Sequence, residues 1–451
     1  MKLRRGATAL LAGTALVVAT GALTATGGLA AGATGPATAA AVACSAPGWA
    51  EGTSYPAGTR VSYAGRLYQA LVTHTPPAGA GWNPAAAPSL WKDLGACDGT
   101  PTPTPTATSS PSPTASPTAS PTPTPTTTPP PGTETCAVKP RPAGKVLQGY
   151  WENWDGAANG VHPPLGWIPI TDSRITTHGY NVVNAAFPVI RSDGTALWED
   201  GMDVTVKVPT PADMCRAKAA GLTVLLSIGG AAAGIDLGSA AVADRFVATV
   251  VPILKRYNFD GIDIDIETGL TGSGNINQLS ASQANLIRII DGVLAQMPAG
   301  FGLTMAPETA YVTGGSVTYG SIWGAYLPIV KKYADNGRLW WLNMQYYNGS
   351  MYGCHGDSYP AGTVQGFTVQ TDCLNTGLVV QGTTIRVPYD KQVPGLPAQP
   401  GAGGGHLAPA AVAQAWNTYR GGLKGLMTWS LNWDGSKGWT FGDNVRALQS
   451  R

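Results

Sequence analysis

The chain has 451 residues, and its Gly, Pro and Ala residues are distributed unevenly, which predicts a division into several segments. Charged residues make up 12% of the chain and the formal net charge is +2, which excludes the basic surface typical of nucleic-acid binding. We therefore expect a neutral polymeric partner and no nucleic acid. The 14 Trp and 16 Tyr against 6 Phe favour rings that stack on sugars, and half-buried packing in a large domain explains the same bias equally well.

The first 43 residues have the order of a signal peptide. A basic start, Met-Lys-Leu-Arg-Arg, is followed by an apolar run from Ala7 to about Leu23 and by small residues through Ala43. The apolar run is short for a membrane span and no stop-transfer charges follow it. We therefore predict a secreted, extracellular protein without a membrane anchor, beginning between Ala40 and Cys44. A lipoprotein site at Cys44 is the alternative, but the apolar run ends too far upstream for it.

The cysteines of an exported chain are expected to form disulfides. Their number is even, no Cys-x-x-Cys pair is present and the five histidines are scattered, so we predict neither a metal nor a cofactor. The first two cysteines bracket a short compact segment and the last two bracket one loop, and the middle pair follows by elimination. The predicted pairs are Cys44 with Cys97, Cys354 with Cys373, and Cys136 with Cys215.

Composition divides the rest of the chain. Residues 99–135 are almost entirely Pro, Thr and Ser, which cannot form a core and favour an extended spacer. We predict a leader over residues 1–43, a small module over 44–98, this linker over 99–135 and a large domain over 136–451.

The module reads as a small β structure, with short β-like runs at Thr59–Tyr63 and Arg66–Val72. Its small core would benefit from a disulfide. The pattern Tyr-Pro-Ala-Gly-Thr-Arg-Val-Ser-Tyr-Ala-Gly-Arg-Leu-Tyr, starting at Tyr55 and continuing to Trp82 and Trp91, resembles the chitin- and cellulose-binding modules of bacterial chitinases. The resemblance implies that Tyr55 and Trp82, then Trp91, are exposed rings that stack on sugars. For each ring the alternative is packing in the core.

The large domain alternates short apolar runs with helical patterns, which is typical of repeated βα units. Helices are expected over Ala240–Tyr257, Ala281–Met297, Ala325–Ala334 and Pro409–Tyr419. Eight strand candidates in about 310 residues predict a (β/α)8 TIM barrel, with chemistry at the carboxyl ends of its strands. An open doubly wound sheet is the alternative, but no Gly-x-Gly-x-x-Gly follows the first strand. The strand candidates are Val146–Tyr150, Asn181–Phe187, Thr223–Ile228, Gly261–Glu267, Gly302–Ala306, Trp341–Tyr347, Lys391–Leu396 and Leu426–Ser430.

The strongest chemical signal is the range Phe259–Glu267, which reads Phe-Asp-Gly-Ile-Asp-Ile-Asp-Ile-Glu and holds four of the 26 acidic residues. Side chains alternate along a strand, so the isoleucines face the helices while Asp263, Asp265 and Glu267 line the barrel interior. Stacked carboxyls cannot all ionise cheaply, so at least one pKa rises and the outermost group can act as a general acid. We expect Glu267, at the strand end, to be that acid.

This order of residues resembles the signature of family 18 glycoside hydrolases, and Ser-Ile-Gly-Gly at Ser227–Gly230 resembles that family's second motif. The resemblance covers the whole barrel segment and implies chitinase activity, with Glu267 acting first as acid and then as base. It further implies that Asp265 orients the N-acetyl group of the substrate and that Asp263 sets the protonation of Asp265. Ser227 is a nearby hydrogen-bond partner, and we place it among the substrate-binding residues.

Alternation on the sixth strand puts Asn343, Gln345 and Tyr347 on the face toward the barrel mouth. The family has a tyrosine there whose hydroxyl bonds the acetamido oxygen, and alternation assigns it to Tyr347 rather than Tyr346. Gln345 and Asn348 stand where many members have Met and Asp, and we count Gln345 as substrate-binding.

The ends of the last and first strands offer Trp429 and Tyr150 as further substrate contacts. By the resemblance, Trp429 is the floor of the sugar site before the scissile bond. Glu308, at the end of the fifth strand, lacks stacked partners and is expected at most to touch the substrate. Three other residues are either additional sugar contacts or packing: Trp151, Trp154 and Trp433.

The combined prediction is a monomeric chitinase that binds chitin and chitooligosaccharides and cuts β-1,4 bonds by substrate-assisted, retaining catalysis. The resemblance to family 18 implies this mechanism, which departs from that of ordinary retaining glycosidases. Two alternatives are a non-catalytic lectin on the same fold and an endoglycosidase acting on the chitobiose core of N-glycans. The intact acidic series disfavours a lectin. The attached module favours chitin as the substrate over N-glycans.

Overall fold

The structure is a computed structural model of the chain. The predicted leader, Cys44, Trp82 and nearly all of the predicted linker lie outside the residues it describes. Those residues are 46–50, 53–56, 58–70, 83–85, 91–97, 134–157, 161–231 and 234–451.

The module contains a three-stranded antiparallel sheet of Arg60–Tyr63, Arg66–Ala70 and Trp91–Ala96, in that order. The first two strands are joined at Ala64 and Gly65, where φ is 46° and 72°. Positive φ at both central residues is typical of the tight hairpin turn that matches strand twist, and it suits glycine best. The predicted runs at residues 59–63 and 66–72 are confirmed within one residue where the chain is described, and residues 71 and 72 lie outside the described residues.

The exposed rings predicted for the module are wrong at two positions. Tyr55 and Trp91 have exposed fractions of 4% and 2%, and their ring centroids lie 5.1 Å apart in an edge-to-face contact. The Tyr55 hydroxyl also donates to the carbonyl of Ala50 at 2.9 Å. A sheet this small has few large apolar side chains, so its aromatic rings form the core together with Val61 and Tyr68.

The large domain is built on eight parallel strands. In space they follow the order β6-β5-β4-β3-β2-β1-β8-β7. Hydrogen bonds from Val393 N to Leu342 O and from Gly395 N to Met344 O, both 2.9 Å, join the two ends of this order. The sheet therefore closes, and the predicted barrel is confirmed. The strands are β1 Val146–Glu152, β2 Val182–Ala186, β3 Thr223–Gly229, β4 Gly261–Asp265, β5 Gly302–Met305, β6 Trp341–Leu342, β7 Gly395–Pro397 and β8 Gly425–Trp429.

The sixth and seventh strands differ most from their predicted ranges. β6 keeps only its first two residues, and the chain beyond it pairs through single bridges, from Gln345 to Glu308 and to Gly395. β7 starts four residues later than predicted. The side chains after β6 still alternate as expected, which preserves the predicted face.

Helices alternate with the strands around the outside of the barrel. Two of them begin with reciprocal caps, Thr210 with Asp213 and Ser280 with Gln283, which satisfy free amides of the first turn. The four predicted helices are confirmed within three residues at each end. The helices are α1 Ser173–Thr177, α2 Pro211–Ala219, α3 Ala240–Arg256, α4 Ala281–Leu294, α5 Leu327–Asp335, α6 Val364–Thr376, α7 Pro409–Thr418, α8 Leu431–Ser436 and α9 Thr440–Leu448.

Two of the three predicted disulfides are present, Cys136–Cys215 and Cys354–Cys373. The third involves Cys44, which lies outside the described residues. Within the part of the chain that the structure describes, no helix combines the length and apolarity that crossing a membrane requires.

Candidate active site

Strand β4 places the acidic series as alternation predicts. Its residues are fully buried, and Ile262, Ile264 and Ile266 pack in the core between sheet and helices. Asp263 and Asp265 point into the barrel, while Glu267 is half-buried just beyond the strand. The three carboxyls therefore rise toward the mouth of the barrel, with Glu267 outermost.

Asp263 is fully buried and is held by uncharged donors from four other strands or strand ends. Burial raises the pKa of Asp263, while hydrogen bonds to its ionised form oppose that rise. The donors and their distances are Thr304 Oγ1 at 2.5 Å, Tyr150 hydroxyl at 2.7 Å, Ser227 Oγ at 2.8 Å and Asn343 Nδ2 at 3.1 Å.

Tyr150 and Ser227 are predicted to contact the substrate, but in the structure both side chains contact Asp263. Both side chains are buried, with 1% and 0% exposed, because they point along the barrel interior toward Asp263. They lie beneath the site as hydrogen-bond donors rather than on its surface. Thr304, which faces Asp263 from the adjacent strand, was not predicted, although its inward position on β5 could have identified it.

Gln345 connects the two outer carboxyls. Its Nε2 amide donates to Asp265 Oδ1 at 3.0 Å and to Glu267 Oε1 at 2.9 Å, and it lies 3.1 Å from the carbonyl of Ala306. The amide therefore fixes the relative positions of both groups, in addition to lining the cavity above them.

Burial and neighbouring charges raise the pKa of both outer carboxyls. Burial, with the negative charges of Glu267 and Asp263, raises the pKa of Asp265 well above its usual range. Burial raises the pKa of Glu267 to about 7, with the Gln345 hydrogen bond opposing the rise and the charge of Glu308 adding to it. A carboxyl with this pKa is suited to general acid–base chemistry near neutrality.

A cavity of about 170 Å³ opens directly above these groups. Asp265, Glu267, Gln345, Tyr347 and Trp429 line it. Tyr346, by contrast, packs in the core, and its hydroxyl lies 3.0 Å from Thr371 Oγ1. The structure thus places Tyr347 rather than its neighbour at the site, as alternation predicts.

A second cavity of about 430 Å³ adjoins the first, since both are lined by Phe187 and Trp429. One side of it is formed by Trp154, Phe187 and Trp429, which we call the aromatic wall. The Phe187 and Trp429 rings lie 6.0 Å apart at 14°, and Trp154 stacks on Phe187 at 6.4 Å. Trp154 therefore belongs to the cleft, whereas Trp151 is fully buried packing.

Comparison with known proteins identifies the families that two parts of the chain match. Residues 48–92 match carbohydrate-binding module family 5/12 and residues 146–303 match glycosyl hydrolases family 18. Endochitinase 4 of Metarhizium robertsii is 79% identical over 313 residues, covering 69% of this chain and 91% of that protein. The chain belongs to glycosyl hydrolase family 18.

Two further similarities agree with this membership. Endochitinase 37 of Trichoderma harzianum is 79% identical to this family 18 enzyme, covering 69% of it and 92% of the relative. The crystal structure of a family 18 chitinase from Chromobacterium violaceum has a TM-score of 0.60 at 28% identity, covering 90% of this chain and 100% of that one. Because the relatives at 79% identity are fungal, the comparisons do not support the bacterial source suggested by the module.

The pKa of Glu267 predicts how the activity of this family 18 enzyme depends on pH. The acid must carry its proton to donate it, so we expect kcat/KM to fall as the pH rises through about 7. Glu308→Gln removes a negative charge that raises this pKa, and it should move the midpoint of the fall to lower pH. A kcat/KM profile measured for both forms checks this expectation. An identical midpoint in the variant would contradict the electrostatic coupling.

Proposed function

We propose that this enzyme is a secreted chitinase that cuts β-1,4 bonds within chains of N-acetylglucosamine. The observation that carries the proposal is the pairing of Glu267, whose pKa is about 7, with the buried Asp265 through one amide of Gln345. Relatives named endochitinases, at 79% identity, support the choice of substrate. The chitin-binding resemblance of the module supports it further.

Glu267 acts first as the general acid. It protonates the glycosidic oxygen while the carbonyl oxygen of the substrate's own acetamido group attacks the anomeric carbon, and the leaving sugar departs with the proton. Asp265 and Tyr347 hold the acetamido group in place for this attack, which converts a difficult encounter into an intramolecular step. The positive charge that develops is stabilised by the carboxylate that Glu267 becomes once it has released its proton.

The second step regenerates the acid. The oxazolinium ring formed in the first step is opened by water, and Glu267, now ionised, takes a proton from that water. Water attacks the anomeric carbon from the face that the leaving sugar occupied. The acetamido group is restored, and the configuration at the anomeric carbon is retained. Asp265 is a poor candidate for the nucleophile because its Oδ1 accepts a hydrogen bond from Gln345 and its pKa is raised, which disfavours the carboxylate form that a nucleophile needs.

Cutting within the polymer follows from the shape of the cleft. The chain between β7, ending at Pro397, and β8, beginning at Gly425, contains only the helix α7 as a regular element. This interval is too short for an additional lid domain, so the cleft stays open along its length. An open cleft admits a polymer at any point rather than only at its end.

Two substrates separate this function from its alternatives. The chitinase releases soluble sugars from colloidal chitin and leaves the glycans of an N-glycoprotein attached, with an early fall in the viscosity of a soluble chitin derivative. A lectin would release nothing from either substrate. Release from the glycoprotein alone would indicate an endoglycosidase, and disaccharide release without any early fall in viscosity would exclude internal cutting.

The proposal includes the organisation of the chain. Residues 1–43 direct export, residues 44–98 bind chitin, residues 99–135 act as a spacer and residues 136–451 carry the chemistry of a monomer. The two disulfides of the barrel suit an oxidising, extracellular environment.

A further inference from the structure

A buried acid and a buried histidine meet at the end of β1, and the proposed chemistry uses neither. Glu152 Oε2 lies 2.5 Å from His162 Nε2, and both side chains are essentially unexposed. The other oxygen, Oε1, accepts a hydrogen bond from Ser430 Oγ at 2.5 Å. His162 Nδ1 faces the carbonyl of Leu165 at 2.7 Å. Nδ1 therefore donates to Leu165, and a hydrogen bond joins Nε2 to Oε2.

The end of β1 is connected to all three rings of the aromatic wall. Ser430, which Glu152 binds, directly follows Trp429, and the Glu152 amide donates to Asn432 Oδ1 at 3.0 Å. The next residue, Asn153, donates through Nδ2 to the carbonyl of Phe187 at 2.9 Å. Trp154 follows immediately. The Glu152 side chain thus binds the side chain of the residue next to one ring and lies two residues from another.

His162 also contacts the segment that carries Trp154. Residues 153–157 leave the end of β1, and His162 binds Glu152 at that same strand end. Gly156 lies against the imidazole, since a Cβ there would meet it at 2.1 Å. A larger residue at position 156 would displace either the imidazole or the segment that follows Trp154.

Stability alone is a weak explanation for such a pair. Burying two ionisable groups costs desolvation energy, and replacing a buried pair by packed apolar residues is often neutral or stabilising. The pair lies at the carboxyl ends of β1 and β8, which is the face where barrels of this fold hold their chemistry. Its location points to a role in the cleft.

We propose that Glu152 and His162 are positioning residues that hold the aromatic wall in place for the sugar rings of the substrate. This inference rests on the proposed function and on the expectation from the sequence that Trp429, which lines the cavity, contacts the substrate. Loss of the pair weakens the use of chitooligosaccharides through a displaced Trp429, while the acid chemistry of Glu267 is retained.

A double-mutant cycle on kcat/KM for a chitooligosaccharide tests the proposal. We expect Glu152→Ala to lower kcat/KM by about tenfold, and Trp429→Ala by more, on the scale of stacking contacts. Because Glu152 acts through Trp429, adding Glu152→Ala to Trp429→Ala should cost less than about twofold further. Independent, multiplying losses in the double variant would overturn the inference.

Rescue by a neutral substitution separates positioning from charge. In Glu152→Gln the amide oxygen accepts from Ser430 and the amide nitrogen donates to Nε2 of a neutral His162, whose Nδ1–H donates to Leu165. Most of kcat/KM should therefore return, and the pH midpoint set by Glu267 should match that of the unaltered enzyme. A loss as large as that of Glu152→Ala would contradict the positioning role.

A second histidine pair provides the matched control. His178 Nδ1 lies 3.0 Å from Asp443 Oδ1. The His178 ring stacks on Trp439, which is not part of the aromatic wall. His178→Ala should lower Tm at most and leave kcat/KM within about twofold.

If Glu152→Ala does not fold, Ser430→Ala removes one hydroxyl of the same network and replaces Glu152→Ala in the double-mutant cycle. If Trp429→Ala itself has no effect, the role of Trp429 in the proposed function fails, and the cycle is then decided with Trp154→Ala.

Discussion

Glu267→Gln is expected to lower kcat on chitooligosaccharides by a factor of about 10² to 10⁴, the range typical of a lost general acid. The amide has almost the shape of the protonated carboxyl and can still accept from Gln345 Nε2, but it has no proton to release to the glycosidic oxygen. Substrate affinity should stay within a few fold, because below pH 7 the replaced group is itself neutral. Release of reducing ends measures the first quantity, and calorimetric titration with an oligosaccharide measures the second.

Glu308→Gln is the matched control for this experiment. It makes the same chemical change at a neighbouring carboxyl whose pKa burial also raises. At a pH below the fall in activity, its kcat should stay far above that of Glu267→Gln. A rate close to that of the unaltered enzyme in Glu267→Gln would remove Glu267 from its role, whatever the result at position 308.

A substrate that carries a free amine in place of the acetamido group at the cleaved sugar is expected to show no turnover. An ammonium has no carbonyl oxygen to attack the anomeric carbon, and it adds positive charge beside a developing oxocarbenium ion. A thiazoline that resembles the oxazolinium ring should inhibit strongly, because its shape and charge match the intermediate. The same oligosaccharide with its acetamido group intact is the control for binding and solubility.

The stereochemistry of the first product gives an independent measurement of this mechanism. Two displacements at one carbon retain the β configuration, so NMR taken early in the reaction should show the β anomer before mutarotation. An initial α anomer would require a single displacement by water, activated by a base across the ring. That result would overturn the roles proposed for Asp265 and Tyr347.

The barrel fold and the order of the three carboxyls along β4 can be predicted from the sequence, because both depend on patterns formed by residues close together in the chain. Strand alternation fixes which side chains face inward, so it placed Asp263 and Asp265 inside the barrel and Tyr347 at the cavity. The same regularity could not tell a substrate contact from a hydrogen-bond donor beneath the site. Tyr150 is therefore predicted as a substrate contact, although its hydroxyl donates to Asp263.

Other features depend on contacts between distant segments. Phe187 carries no motif of its own, and it becomes part of the cleft only because β2 and β8 lie on either side of β1. The Glu152–His162 pair joins two residues that lie ten positions apart in the sequence. In the module, aromatic residues suit either the core or a binding face, so the sequence pattern alone could not assign Tyr55 and Trp91.

The uncharged surroundings of Asp263 have a consequence for the conditions in which the enzyme works. Its hydrogen-bond donors are hydroxyl groups and a side-chain amide, and the carboxyl is fully buried. Dissolved ions screen exposed charges over about 10 Å at 0.1 M salt but act much less on buried groups, and the sugar substrate is itself neutral. The hydrogen-bonded state of Asp263 should therefore respond little to added salt, because contacts inside the barrel determine it.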